Sequence, residues 1–138
     1  MDIRLLTEEE DQACAEALQL ASRSLNVPLP LSIIQVQRLY DTILSDFPED
    51  PKAQITIGIA FGETIVAKAG YEWVRVTDDY GSETALAPVG LGLACYPISM
   101  IQKRLNAREA VLVDELRDAT IETVNGMISS GKYDKRAG

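Results

Sequence analysis

Gly70 divides this chain between two periodicities, and that change constrains the fold more than any other feature. Before it, apolar residues recur every three or four positions; from Glu72 they alternate one by one. A helical first half and a strand-forming centre are therefore expected.

Three helices are expected before Gly70. Thr7 and Glu10 make a reciprocal capping pair, with further acids where the helix dipole favours them. Cys14, Leu18, Ala21 and Leu25 follow as one narrow apolar stripe that "VPLP" ends. Ser32 and Gln35 form a second capping pair before a helix whose inner positions are Ile33, Val36, Tyr40, Ile43 and Phe47. Asp50 caps a third, with Pro51 in its first turn and Gly70 closing it. Within that stretch Ile55, Ile57, Ile59 and Phe61 also alternate as in a strand. Length, the cap and the spacing of Ile57, Phe61, Ile65 and Ala69 decide for a helix. Gly58 and Gly62 then lie on one face, where a neighbouring element can approach closely.

"EWVRVT" has the period of a strand, "DDYGS" punctuates it, and "ETALAP" and "LGLACYP" supply two more strands, giving a three-stranded antiparallel meander. Pro97 leads a short helix with a basic end. A last helix is expected to be capped by Asp114, with Leu116, Ala119, Thr120, Val124, Met127 and Ile128 inward and Gly131 as its stop. Residues 132–138 read as a frayed tail. The order predicts one α+β domain over 1–138: N-terminal helices, the meander, and two C-terminal helices packed on one sheet face.

The 138 residues carry a net charge of −8. Residues 1–70 hold 5 Lys or Arg against 11 Asp or Glu, and the remainder 8 against 10. Such a field repels nucleic acid and anionic lipid and favours cationic partners. Histidine is absent, which removes serine triads and the usual zinc sites. No cofactor and no catalytic residue is expected. Cys14 and Cys95 read as reduced core residues of a cytoplasmic protein, since no secretory signal precedes "MDIRLLTEEED". No apolar run is long enough to span a membrane.

Chemistry concentrates around the central turn. Asp78 and Asp79 are adjacent, so on a strand they point to opposite faces and make a poor carboxylate pair. Glu83 can approach one of them across the turn. Three acids around a glycine hint at calcium but lack the spaced oxygen ligands of a binding loop, so no metal is expected. Trp73 and Tyr80 are either binding anchors or, for Trp73, cover for one face of a small sheet. Arg75, Lys103 and Arg104 are the alternative, an anion site beside the sheet.

The residues Glu72, Trp73, Val74, Asp78, Tyr80 and Gly81, followed by Pro97, Met100, Ile101, Lys103 and Arg104, carry a resemblance. Over about 57–130 the chain resembles the bacterial domain-of-unknown-function family numbered three thousand eight hundred and six. The resemblance implies the order helix, Glu-Trp-Val strand, acidic turn and Pro-led helix, and a bacterial cytoplasmic setting; it implies no reaction. The functional expectation is a non-enzymatic binding protein, most specifically an immunity-type protein holding a basic toxin or effector. Partner contacts would come from Trp73, Asp78, Asp79, Tyr80 and Glu83. The alternatives are a small-molecule or anion-binding domain, weakly enzymatic at most, and a structural homodimer subunit paired through the Gly58–Gly62 face.

Overall fold

Local caps set the helical half. In the computed structural model, which describes residues 1–131 and 133–136, Thr7 Oγ1 accepts from the Glu10 amide and Glu10 Oε1 from the Thr7 amide. Helix α1, Glu8–Leu25, starts there and ends at Asn26 in the left-handed region, φ 55°. Ser32 and Gln35 open α2, Ile33–Asp46, in the same way. Asp50 caps α3, Pro51–Ala69, and Gly70 at φ 74° closes it. The ambiguous isoleucine run is thus helical. Burial on nearly every side of α3 explains why it lacks a clean apolar stripe: Thr56 to Gly62 are all buried, and Ile57, Phe61 and Ile65 are fully so.

Strand β1, Asp2–Leu5, was not expected. It pairs antiparallel with β2, Glu72–Asp78, which pairs with β3, Gly81–Ala87, so the three-stranded sheet has the order β1-β2-β3. The α+β class holds, but the third strand comes from the N-terminus. The "LGLACYP" segment does run beside β3, yet it closes a single bridge in which Leu86 and Cys95 exchange both backbone hydrogen bonds at 2.9 and 2.8 Å. Its start, β4 at Leu91–Gly92, pairs instead with β5, Asp134–Lys135.

The described part of the 132–138 segment is therefore tied down; Lys132, Ala137 and Gly138 lie outside the described residues. Arg136, 13% exposed, pairs with Glu72 and donates to the carbonyls of Leu91 and Pro88 at 2.9 and 2.7 Å. One guanidinium thus locks chain end, loop and sheet together.

Helix α4, Pro97–Asn106, packs against α3 and touches β3. Helix α5, Val113–Ser129, packs chiefly on α2 and α3 within the helical layer that covers one sheet face, and its Asn125 accepts from the Tyr71 hydroxyl at 3.3 Å. Asp114 does not cap it. Gln37 of α2 does so from across the core, its Oε1 accepting from the Val113 amide at 2.8 Å while its Nε2 donates to the Val111 carbonyl. Ala119 and Met127 face outward, and Val113 and Ile121 take inner places. Phe47, expected inside, is 45% exposed at the end of α2. The main core joins the helices to the Tyr71 and Leu86 side of the sheet. A smaller cluster, Val74, Val76, Ala85 and Ala87, fills the other face under Ile3, Ala94 and Tyr96.

Among the described residues no helix is long and apolar enough to cross a membrane. Cys14 and Cys95 are free, and burial pushes both thiols up to about 11, leaving them protonated near neutral pH.

Candidate functional site

The β2–β3 turn is built by its own side chains. Asp78 Oδ1 accepts from the Tyr80 amide at 2.8 Å, closing the loop over Asp79. Gly81 leaves it at φ 137°, a conformation open to few other residues. Tyr80 is carried outward and is 99% exposed.

Beneath the turn, on the Val74–Val76 face, lies a cleft of about 430 Å³ lined by Val76, Asp78, Tyr80, Glu83 and Tyr96. Strand register explains the grouping. Val76 sits opposite Glu83, Asp78 follows Val76 by two residues, and the Leu86–Cys95 bridge puts Tyr96 on the same face. Glu83 Oε2 accepts from the Ser99 hydroxyl at 2.7 Å, which anchors the cleft to α4. Burial, then the Glu83 and Asp78 carboxylates, raise the Tyr96 hydroxyl above its ordinary range. Two carboxylates beside two phenol rings suit an incoming ammonium or guanidinium, which gains both charge-assisted hydrogen bonds and contact with the ring faces. Among the described residues no group of three His, Cys, Asp or Glu is placed to hold a metal ion.

The structure thus joins Asp78, Tyr80 and Glu83 and adds Tyr96, which sequence reasoning missed; only the register of Cys95 against Leu86 reveals it. Asp79 is exposed but does not line the cleft. Of the two places expected for Trp73, the structure gives the covering one, half-buried between sheet and α3. Its ring fills the space above Gly62, where an added Cβ would stand 2.3 Å from Cη2, and its Nε1 donates to Glu63 at 2.8 Å. Gly58 is occupied in the same way, an added Cβ meeting Ile98 Cα at 2.8 Å. The Gly58–Gly62 notches expected to admit a close neighbour are therefore filled from within the chain, by Ile98 and Trp73.

The three cations do not converge. Arg75 donates to Ser82 Oγ, Thr84 Oγ1 and the Ser82 carbonyl and lies 3.8 Å from Glu10. Lys103 and Arg104 occupy the last turn of α4, where Asn106 meets Gln54 near the start of α3. Glu63, beside Trp73, is about 13 Å further along that helix at its ordinary rise. Arg104 bonds back to the Met100 carbonyl. Arg75 thus ties β2 to β3 and to α1, whereas Lys103 and Arg104 stand at a helix end where cations complement the dipole.

A second concavity, of about 780 Å³, lies on the opposite flank between α1, the 29–33 turn, α3 and α5. Its lining is mainly apolar, with Glu63, Lys68 and Arg117 at its edges.

Comparisons with known proteins return one assignment. Residues 34–116 match the family described as Domain of unknown function (DUF3806). Comparison with curated proteins and with solved structures finds no match. The matched region differs from the expected 57–130: it takes in nearly all of α2 and stops in the first turns of α5. All eleven residues that carry the resemblance fall inside it, and most have a visible task in the fold. Glu72 holds Arg136, Trp73 fills the Gly62 notch with Pro97 beside it, Asp78 closes the turn, and Ile101 is fully buried. With more than half of its length matched, the chain belongs to the DUF3806 family.

Proposed function

We propose that this is a non-catalytic binding protein that docks a cationic surface of a protein partner on the tip of the β2–β3 hairpin. The observation that carries the reading is Tyr80, a large aromatic 99% exposed on a turn held by its own hydrogen bond, next to a cleft flanked by Asp78 and Glu83. Exposing such a ring serves no packing purpose, and a preformed turn lowers the ordering cost of binding. The net charge of −8 adds long-range attraction for a basic partner. Tyr80 supplies contact area, Asp78 and Glu83 receive a lysine or arginine, and exposed Asp79 speeds association. In its most specific form the role is that of an immunity-type protein holding a basic toxin or effector in a bacterial cytoplasm.

The test is affinity capture from a lysate of the source cells on immobilised wild type, compared with the Asp78→Asn, Asp79→Asn, Glu83→Gln triple variant and with Tyr80→Ala. Wild type should retain a basic protein in stoichiometric amount, eluting early in a salt gradient. Both variants should lose it, with slower association and a flatter salt dependence for the triple variant. A partner retained equally by all three would place docking elsewhere and overturn this reading.

A further inference from the structure

The groove between α1, α3 and α5 has the size and lining of a small-molecule site, about 780 Å³ with a floor of Leu18, Leu31, Ile33, Ala60 and Val66. Its α5 wall carries an unusual cation. The Arg117 side chain is only 16% exposed, and its Nε donates to Asp118 Oδ1 at 2.9 Å. Among the described residues neither terminal nitrogen of that guanidinium donates to a protein acceptor. Lys68 Nζ donates to the same Asp118 oxygen at 2.6 Å. One carboxylate therefore answers two cations, and a mostly buried guanidinium, its terminal nitrogens still open to solvent, stands with spare donors at the rim of an apolar groove. Glu63, the other charged lining residue, turns one oxygen to Trp73 Nε1, on the sheet side.

A planar fork of donors beside an apolar channel matches a carboxylate on an apolar chain. We propose that this groove binds a medium-chain monocarboxylic acid, its carboxylate on the terminal nitrogens of Arg117 with Lys68 nearby, and its hydrocarbon chain along Leu18, Leu31, Ile33 and Val66. Binding removes the chain from water and gives the terminal nitrogens of Arg117 an acceptor beside the Asp118 pair. The site is separate from the hairpin cleft, so the two can be tested independently.

The probes are sodium decanoate below its micellar concentration and 1-decanol, which has the same chain length without the charge. Binding is read by calorimetry, by thermal shift and by the fluorescence of Trp73, the only tryptophan, which is bonded to a groove residue. Decanoate should bind one to one, and decanol about tenfold more weakly or worse, the ratio expected for losing charge-assisted hydrogen bonds. Arg117→Gln should bring decanoate down to the affinity of decanol. Ala67→Phe, at an exposed position of the groove wall, should block both probes. The wild-type comparison and the Ala67 variant carry the test even if Arg117→Gln folds poorly. Equal affinity for decanoate and decanol, no binding of decanoate, or binding untouched by Ala67→Phe would each overturn the proposal.

Discussion

The two ends of the β2–β3 hairpin use aromatic side chains in opposite ways. At the base, Trp73 lies opposite fully buried Leu86, presses into a notch that only a glycine at 62 leaves open, and gives its indole hydrogen to Glu63. At the tip, Tyr80 is 99% exposed and its own amide is held by Asp78 two residues away. The base is specified by contacts from distant parts of the chain, whereas the tip is specified by four consecutive residues. The turn owes its shape to itself and can be reshaped for a partner at little cost to the fold, while the cleft beneath it also draws Val76, Glu83 and Tyr96 from the sheet and from the segment before α4.

The base should yield the largest effects. Trp73→Ala empties the notch and leaves Glu63 without its donor, and about 3 kcal/mol of stability should be lost, measured by denaturant unfolding. Gly62→Ala attacks the same contact from the other side. Its new methyl group would stand 2.3 and 2.6 Å from Trp73 Cη2 and Cζ2, so the ring must move. Overpacking of this kind costs about 1–3 kcal/mol. Trp73→Phe, which removes the outermost ring atoms, should cost less in the Gly62→Ala background than in wild type. Strict additivity would show that the notch is not the contact that matters, and the contrast between base and tip would lose its basis.

Midway along the hairpin the expected effect is smaller and depends on pH. Arg4 and Arg75 stand directly opposite across β1 and β2, a like-charge pairing that by itself disfavours the register. Glu10 lies between them, 2.7 Å from Arg4 and 3.8 Å from Arg75, while its Oε1 also accepts from the Thr7 amide. The Arg4 hydrogen bond first, then the Thr7 amide, hold the Glu10 carboxyl down to about 2. Because the folded value lies below the unfolded one, the stabilisation is complete above the ordinary glutamate range and disappears as pH falls from there toward 2. The melting temperature of wild type should therefore exceed that of Glu10→Gln at pH 7 and approach it near pH 2.5. A constant gap across that range would mean that the charge on Glu10 does not hold β1 to the sheet.

The same division between local and distant causes decides how much could be read from the sequence. The caps at Thr7, Ser32 and Asp50 and the stop at Gly70 involve neighbours three or four residues apart, and all four are as expected. Strand β1 has one half-buried residue, Ile3, and its partner lies some seventy positions away, so its pattern carried no signal. The cap of α5 comes from Gln37 on another helix, and the locking of the chain end depends on Arg136 reaching Glu72. At the candidate site, Asp78, Tyr80 and Glu83 were legible because turn residues announce themselves by type. Tyr96 was overlooked and Trp73 left between two places, because both positions depend on which element covers each sheet face. The apolar groove was invisible, since its lining is gathered from four separated segments.

Tyr80→Ala should produce the smallest change in stability, within about 0.5 kcal/mol of wild type. The ring buries almost nothing, and the turn is closed by the backbone amide of residue 80, which alanine retains. Unfolding midpoint and slope should both match wild type, while capture of the basic partner is lost. A marked loss of stability would mean that Tyr80 has a role inside the molecule, and its exposure could no longer be taken as a sign of docking. Unchanged stability with unchanged capture would keep the tip separate from the fold but leave the ring without a task, and docking would then have to rest on the Asp78 and Glu83 carboxylates alone. Loss of capture at constant stability is the outcome that ties the exposed aromatic to recognition, because it separates binding from folding at a single side chain.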